Sequence, residues 1–259
     1  MSATRLLLVT PLLFVVLAAG CAGGNGSTVL PTATPRLEGS VELLGSMPHE
    51  DKAWTEGLLI SDGILWESTG LIGQSRVRGL DAETGAVLWS FPNTEGFFGE
   101  GLVRAFGRTY LLTYTEQSAY LFERDGSPPY TLFATYDGQG WGLTATGQHL
   151  VNSNGSAILY YRDPETFAII KEIPIQYIGK PVQRLNELEF DGTYLWANQW
   201  QTPYVYRILE ADSSNVVRYT LPAEVCPEGS PNGIAWDEEQ SIFFVTGQAC
   251  EKIWKARFQ

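Results

Sequence analysis

Basic residues are scarce in this chain, which has 17 Lys and Arg against 29 Asp and Glu and a formal net charge of −12. Binding to nucleic acid depends on clustered Lys and Arg that neutralise phosphates. The charge balance therefore argues against a nucleic-acid partner and predicts repulsion from anionic surfaces. Charged residues make up only 18% of the sequence and hydrophobic residues 44%, which is a globular composition.

Cysteine and histidine are also few, with three Cys and only two His. Cys226, Cys250, His49 and His149 show none of the paired spacings by which metal ligands are recognised. We therefore expect no metal site, and we expect no cofactor.

Helical patterning is missing as well. No segment carries a 3.6-residue apolar stripe over ten or more residues, so helix is expected to be minor. The 27 Gly, 12 Tyr, 12 Phe and 8 Trp favour strands joined by turns. These features together predict an all-β protein.

One long apolar run is present, at residues 6–17, and Arg5 precedes it as in the n-region of a signal peptide. The sequence LAAGC at residues 17–21 resembles a bacterial lipobox, in which Cys21 is lipidated and becomes the first residue of the mature protein. An ordinary secretory signal cleaved nearby, or an uncleaved anchor, is the alternative. Residues 22–35 are rich in Gly, Ser, Thr and Pro, which is the composition of a tether.

We accordingly divide the chain into a signal peptide (1–20), a flexible tether (21–35) and a domain (36–259). The expected location is outside the cytoplasm, on the cell membrane, through a lipid on Cys21. In such an oxidising compartment a lone pair of cysteines usually forms a disulfide. Cys226 and Cys250 are therefore expected to be bonded, with two buried free thiols as the alternative.

A repeat runs through the domain. Similar tripeptides begin at Glu56, Glu100, Trp141, Asn186 and Asn232, and they are spaced by 44, 41, 45 and 46 residues. Each is followed by a turn and a second strand, at residues 64–67, 109–113, 150–152, 194–198 and 242–246. Four-stranded propeller blades have periods of about 40–45 residues. The repeat predicts a five-bladed β-propeller with four-stranded antiparallel blades, since a β-sandwich would not give five repeats of equal phase.

The last repeat lacks a fourth strand of its own. Residues 40–46 alternate weakly and are expected to supply it as an N-terminal strand that closes the ring. Residues at equal phase in a propeller reach the same height around the central channel. The first such ring is Glu56, Glu100, Trp141, Asn186 and Asn232. The second ring, at the ends of the second strands, is Ser68, Tyr114, Asn154, Trp200 and Gln248. They predict an aromatic-walled polar pocket for a small neutral polar group.

The motifs within the repeats resemble those of the plant-type glutaminyl cyclase, or glutamine cyclotransferase, family. They are HEDKAWTEGL (49–58), ESTGLIG (67–73), FGEG (98–101), GWGLT (140–144), LNELE (185–189), ANQW (197–200), NGIA (232–235) and VTG (245–247). The resemblance spans the domain, with one or two motifs in each blade. It implies a propeller enzyme that converts the N-terminal glutamine of peptides to pyroglutamate, without the zinc of the animal-type cyclases.

Carried over by position, the resemblance makes Glu100 the proton shuttle, Asn186 a substrate-orienting amide, and Trp141 and Trp200 pocket walls. Gln248 is assigned to the catalytic group. The remaining residues are assigned to substrate binding: Glu56, Trp54, Tyr114 and Asn232. Glu187 and Glu189 are expected to bond between blades, and His49 to anchor the loop that enters the first blade.

Three positions differ from the family pattern. Glu56 stands where the family has Gln, Tyr114 where it commonly has Trp, and Gln248 where it has Lys. Two functions therefore stay open. One is an aminoacyltransferase, expected to be a monomer, that acts on peptides with N-terminal glutamine. The other is a propeller with little or no activity that binds peptides or saccharides at the cell surface.

Overall fold

The computed structural model describes residues 37–92, 96–122 and 130–259. The signal peptide, the tether and Cys21, all expected from the sequence, lie outside the described residues. Within the described part the chain is almost entirely strand, and the helical structure there is a single 3-10 turn at Ala223–Val225.

The strands follow one another in blade order after an N-terminal strand, β1 (Val41–Pro48). Blade 1 contains β2 (Thr55–Ser61), β3 (Ile64–Thr69), β4 (Arg76–Asp81) and β5 (Val87–Pro92). Blade 2 contains β6 (Gly99–Ala105), β7 (Arg108–Thr113), β8 (Ser118–Phe122) and β9 (Thr131–Thr135). Blade 3 contains β10 (Leu143–Ala145), β11 (Leu150–Asn152), β12 (Ile158–Arg162) and β13 (Ile169–Pro174).

A small hairpin, β14 (Gln176–Tyr177) and β15 (Lys180–Pro181), separates blades 3 and 4. Blade 4 contains β16 (Leu185–Phe190), β17 (Tyr194–Gln199), β18 (Tyr204–Leu209) and β19 (Asp212–Thr220). Blade 5 contains β20 (Ser230–Asp237), β21 (Ile242–Gln248) and β22 (Lys252–Phe258), and β1 pairs antiparallel with β22 as its outer strand.

Each blade is a four-stranded antiparallel sheet, and its first strand lies innermost. The inner strands contact one another in a ring, β2 with β6, β6 with β10, β10 with β16, β16 with β20, and β20 with β2. The five-bladed propeller expected from the repeat is therefore confirmed. Buried apolar side chains fill the spaces between neighbouring blades.

The turn residues show why the repeat folds in this way. Asp62 and Gly63 have φ values of 55° and 74°, as a two-residue hairpin turn between β2 and β3 requires. At the outer edge of blade 1, Asp81 Oδ1 accepts bonds from the backbone N–H groups of Glu83 and Thr84 at 3.1 and 2.8 Å. Asp163 makes the equivalent pair of bonds in blade 3.

Close contact of the inner strands explains the repeated glycine. A Cβ atom at Gly101 would lie 2.4 Å from the backbone nitrogen of Leu143, and one at Gly142 would lie 2.2 Å from the carbonyl oxygen of Asn186. The fourth repeat has Glu187 at this phase. Its carboxylate accepts bonds from the N–H groups of Leu58 (3.2 Å) and Ile234 (3.0 Å), so that blade 4 is joined to blades 1 and 5.

A buried ion cluster joins the first and fifth blades. His49 Nδ1 bonds the carbonyl oxygen of Cys250 at 2.7 Å, and its Nε2 lies 3.0 Å from Glu67 Oε1. Arg78 Nε donates to Glu67 Oε2 at 2.5 Å, and Thr55 donates to the same carboxylate. Burial opposes ionisation of Glu67, but the charges of His49 and Arg78 prevail and lower its pKa to about 2.

We expect Arg78→Met to lower the free energy of unfolding by about 3–5 kcal/mol, because it removes one of the two cations that pair with the buried Glu67 carboxylate. Urea denaturation measures this change. Arg257→Met is the matched control, since it breaks an exposed pair with Glu42 and should cost less than about 1 kcal/mol. Equal losses of unfolding free energy in the two variants would show that the buried cluster stabilises the fold no more than an exposed ion pair does.

Candidate active site

A cavity of about 210 Å³ lies at the end of the ring where the inner strands β2, β6 and β16 begin. It brings together residues from six of the eight sequence motifs, which lie far apart along the chain. Eight of the nine residues expected to be catalytic or substrate-binding line it: Trp54, Glu56, Glu100, Tyr114, Trp141, Asn186, Trp200 and Gln248. Seven of these eight residues belong to the two rings of equal phase, and the eighth, Trp54, comes from the motif at residues 49–58.

Two apolar residues of the cavity wall, Leu71 and Phe98, were not expected from the sequence. Phe98 packs on Tyr114 with the ring centroids 5.5 Å apart. Both residues lie inside motifs that carry the family resemblance, at 67–73 and 98–101, so the signal was present. Equal phase did not reveal them because neither occupies a ring position. Leu71 lies just after Ser68, and Phe98 lies just before Glu100.

Glu100 is held at the start of β6 by bonds to its own backbone and to that of Gly99. The Ser68 hydroxyl donates to the Glu100 carbonyl, and the N–H of Gly99 donates to Ser75 Oγ at 3.1 Å. The carboxyl side chain is buried, and its Oε2 has no hydrogen-bond partner among the described residues. Burial, and then the negative charges of Glu56 and Glu116, raise the pKa of Glu100 well above its ordinary value.

Asn186 presents a second unsatisfied acceptor. Ser153 fixes its backbone by donating to the Asn186 carbonyl at 2.7 Å while accepting from the N–H of Gly142 at 2.9 Å. The side-chain Oδ1 of Asn186 is buried and has no partner among the described residues. Buried polar atoms are rarely left unpaired in folded proteins, so two such oxygens in one cavity indicate a ligand that brings N–H groups.

Two indoles form adjoining walls of the cavity. The rings of Trp141 and Trp200 meet edge to face, with centroids 5.5 Å apart and planes at 78°. Trp141 Nε1 donates to Gln139 at 3.0 Å, and Trp200 Nε1 donates to Gln248 Oε1 at 3.1 Å. Because each N–H is already bonded, these rings offer mainly apolar faces to whatever occupies the cavity.

Glu56 is the second carboxyl group of the cavity. Its Oε1 accepts a bond from Gln248 Nε2 at 2.8 Å, and its Oε2 accepts one from Asn232 Nδ2 at 2.7 Å. Burial raises the pKa of Glu56 to about 8, although the bonds from Gln248, Asn232 and Trp54 oppose the shift. Glu56 and Glu100 therefore both favour the protonated form, and each makes ionisation of the other harder.

Asn232 was expected to contact the substrate, but the structure places it behind Glu56 and outside the cavity wall. It is fully buried, and its amide also donates to the carbonyl oxygen of Thr55 at 3.1 Å. Its place in the first ring is correct, yet its side chain turns towards blade 1. Asn232 orients Glu56 and does not line the pocket.

Two members of the second ring also lie outside the cavity. Ser68 is buried beneath Glu100, and Asn154 caps the following turn by accepting a bond from the N–H of Ser156 at 3.1 Å. Equal phase fixes the height of a backbone position around the channel, whereas the local turn decides where its side chain points.

Comparison with known proteins identifies the relationship. The family model for glutamine cyclotransferase matches residues 13–258. This chain belongs to the glutamine cyclotransferase family. The chain is 33% identical over 230 residues to a glutaminyl-peptide cyclotransferase of Arabidopsis thaliana, over 85% of this chain and 71% of that protein. It also matches the crystal structure of Myxococcus xanthus glutaminyl cyclase with a TM-score of 0.79 and 29% identity, covering 86% of this chain and 98% of that one.

Two of the three departures from the glutamine cyclotransferase motifs turn out to be one contact. Glu56 and Gln248 are 192 positions apart in the sequence, yet they share a 2.8 Å hydrogen bond across the boundary between blades 1 and 5. The family pattern of Gln and Lys at these positions carries a positive charge, whereas Glu and Gln here carry a negative charge when Glu56 is ionised. The two replacements at positions 56 and 248 therefore change the charge of the site together.

Away from the cavity, Cys226 and Cys250 form a disulfide, as expected from the sequence. In the described part of this cyclotransferase-family chain, no group of three or more His, Cys, Asp and Glu side chains is arranged to hold a metal ion. No helix in that part is long and apolar enough to cross a membrane.

Proposed function

We propose that this chain is a glutaminyl-peptide cyclotransferase, which closes the N-terminal glutamine of a peptide into pyroglutamate and releases ammonia. The carrying observation is a pair of buried oxygens, of Glu100 and Asn186, that share one indole-walled cavity and find no hydrogen-bond partner among the described residues. An N-terminal glutamine supplies N–H donors from both its α-amine and its side-chain amide, which match these acceptors. Membership of the family and the names of its relatives support the same activity.

In this reaction the α-nitrogen forms a bond to the side-chain carbonyl carbon, and the bond from that carbon to the amide nitrogen breaks. The α-amine must be neutral to attack, and the departing nitrogen must gain a proton to leave as ammonia. Glu100 accepts a proton from the attacking nitrogen and delivers it to the leaving nitrogen. Its raised pKa makes the Glu100 carboxylate a stronger base than an exposed one, which suits a group that first takes and then returns a proton.

The other cavity residues position the substrate and stabilise the charge that develops. The tetrahedral oxyanion needs donors, and the side-chain amides of Asn186 and Gln248 supply them. Gln248 Nε2 has two hydrogens, of which the bond to Glu56 uses one. The reaction is already intramolecular, so walls that hold the amine against the amide carbon provide much of the remaining acceleration.

The experiment that tests this proposal follows ammonia release from a peptide that begins with glutamine, with mass spectrometry to detect the loss of one ammonia. We expect turnover with this peptide and none with a peptide that begins with glutamate, which has no amide to expel. The retained Glu100 favours the enzyme over a binding protein. Saturable binding of the glutamine peptide without any ammonia release would instead favour the binding protein.

We further propose that the protein is anchored outside the cytoplasm by a lipid on Cys21. The Cys226–Cys250 disulfide supports an oxidising compartment, and the lipobox-like sequence at residues 17–21 supports the lipid. Labelling of expressing bacterial cells with radioactive palmitate is expected to mark the wild-type chain and to fail with Cys21→Ser. Equal labelling of the two chains, or no labelling of either, contradicts the anchor.

A further inference from the structure

A second cavity opens beside the catalytic one, between blades 4 and 5. It has a volume of about 530 Å³. We call it the blade 4–5 groove. Its lining comes mainly from the turn between β17 and β18, from the connection between blades 4 and 5, and from the end of β21. Trp54, Trp200 and Gln248 line both cavities, so the groove and the catalytic cavity meet along these three side chains.

Prolines and a disulfide constrain the two walls of the groove. One wall is the turn between β17 and β18, which ends at Pro203. The other is the connection from blade 4 to blade 5, which lines the groove from Pro222 onwards. The disulfide from Cys226 to Cys250 ties that connection to the turn after β21. Prolines and a disulfide limit the motion of both walls, so a ligand loses little affinity to their ordering.

The size of the catalytic cavity limits how much of a peptide it can hold. At about 210 Å³ it is smaller than the roughly 300–1,000 Å³ of ordinary ligand pockets, which suits a single residue. The backbone carbonyl of an N-terminal glutamine must still lead out to the second residue. The groove adjoins the cavity and, at about 530 Å³, is large enough for a short segment of chain.

The chemistry of the groove also fits a particular kind of segment. Indole and proline side chains make its walls largely apolar, and Glu228 is the one charged side chain among the described lining residues. Glu228 is exposed and forms no ion pair with another described residue. A peptide with a basic residue shortly after its glutamine would place a positive charge beside an unpaired carboxylate.

We propose that the blade 4–5 groove binds the residues that follow the N-terminal glutamine of the substrate, and that it favours peptides with a basic side chain among them. This inference rests on the proposed cyclotransferase activity and adds its peptide specificity. The enzyme would then prefer peptides, and glutaminamide, which has no residue after the glutamine, would be a poor substrate.

The test compares three substrates: glutaminamide, which can fill only the catalytic cavity, a glutamine pentapeptide with Lys at position 2 or 3, and the same pentapeptide with Gln in place of Lys. Wild-type kcat/KM should be at least about tenfold higher for the Lys pentapeptide than for glutaminamide, a ratio that corresponds to about 1.4 kcal/mol. Ala223→Trp should obstruct the groove and lower the peptide values by at least about tenfold more than the glutaminamide value. The matched control, Ala86→Trp, places the same side chain on an exposed turn remote from the groove.

Glu228→Gln provides a second, milder variant. It should reduce the preference for the Lys pentapeptide over the Gln pentapeptide by about two- to fivefold, as expected for an exposed charge pair. Its control is Glu224→Gln, a neighbouring exposed carboxylate that does not line the groove, which should leave the preference unchanged.

The outcomes separate this inference from the proposed activity. If glutaminamide is cyclised as well as the peptides, or if Ala223→Trp lowers all three values equally, the groove is not a peptide subsite although the enzyme is a cyclase. If none of the three compounds releases ammonia, the proposed activity is wrong and the inference falls with it.

Discussion

Glu100→Gln is expected to remove nearly all ammonia release while peptide binding is retained. An amide cannot take a proton from the attacking amine and return it to the leaving nitrogen. Loss of a positioned acid–base group typically costs about 10²–10⁴ in rate, and we expect a fall in kcat within that range. The fold should tolerate the change, because Glu100 Oε2 makes no hydrogen bond within the described protein and the new side chain has nearly the same shape.

The measurement pairs kcat from ammonia release with the peptide dissociation constant from quenching of tryptophan fluorescence, since Trp141 and Trp200 line the cavity. Glu187→Gln is the matched control. It also replaces a buried carboxyl of raised pKa, but one whose oxygens hold the backbone of Leu58 and Ile234. The control should lower the free energy of unfolding while it leaves kcat much less affected than Glu100→Gln does. If Glu100→Gln retains more than about a tenth of the wild-type kcat, Glu100 is not the proton shuttle.

The placement of Glu100 was predictable from the sequence because a propeller converts equal phase in the repeat into equal height around an axis. Glu56, Glu100, Trp141 and Asn186 share that phase, and the structure places all four around one cavity. The regular repeat also placed the second strands of two blades. The strand expected at 150–152 coincides with β11, and the one expected at 242–246 lies within β21. Because the strands are short and the turns between them are regular, the sequence position at which each blade begins is closely fixed.

Side-chain direction and irregular loops were beyond this reasoning. Asn232 has the right phase, but its amide turns towards blade 1, where it donates to Glu56 Oε2 and to the carbonyl oxygen of Thr55. One wall of the blade 4–5 groove is the segment from Pro222 to Pro231, an irregular connection that differs in structure from the hairpin between blades 3 and 4. Its position follows from the Cys226–Cys250 bond, and no periodic pattern encodes it.

The contact between Glu56 and Gln248 is a third case, because the last blade of the ring lies against the first. In the sequence, the two departures from the family pattern stand at opposite ends of the domain. In the structure, they form one hydrogen bond within the catalytic cavity. A change at either position therefore acts on the other, and their combined charge acts on Glu100.

Replacing both members of this contact, in Glu56→Gln/Gln248→Lys, is expected to move the acid limb of the kcat profile to lower pH. The cyclisation needs Glu100 ionised, so activity rises as pH increases through its pKa. After burial, the largest contribution that raises this pKa is the negative charge of Glu56. Removing that charge and adding a cation both favour the ionised form, and together they should lower the limb by at least about one pH unit. At a pH below the wild-type limb, kcat should rise about tenfold.

The single variant Glu56→Gln separates the two effects, because it removes the negative charge without adding a cation, and it should give only part of the shift. Glu116→Gln is the matched control. Glu116 also raises the pKa of Glu100, but its contribution is smaller than that of Glu56 and it does not line the cavity, so its loss should move the limb less. A limb that stays in place in the double variant would mean that Glu100 is not the group whose ionisation limits the reaction. A higher kcat at every pH with no shift would assign the gain to the new Lys at the oxyanion alone. Either result would show whether Glu56 and Gln248 act on the site through charge or through hydrogen bonds, because Glu56 is both ionisable and bonded to Gln248.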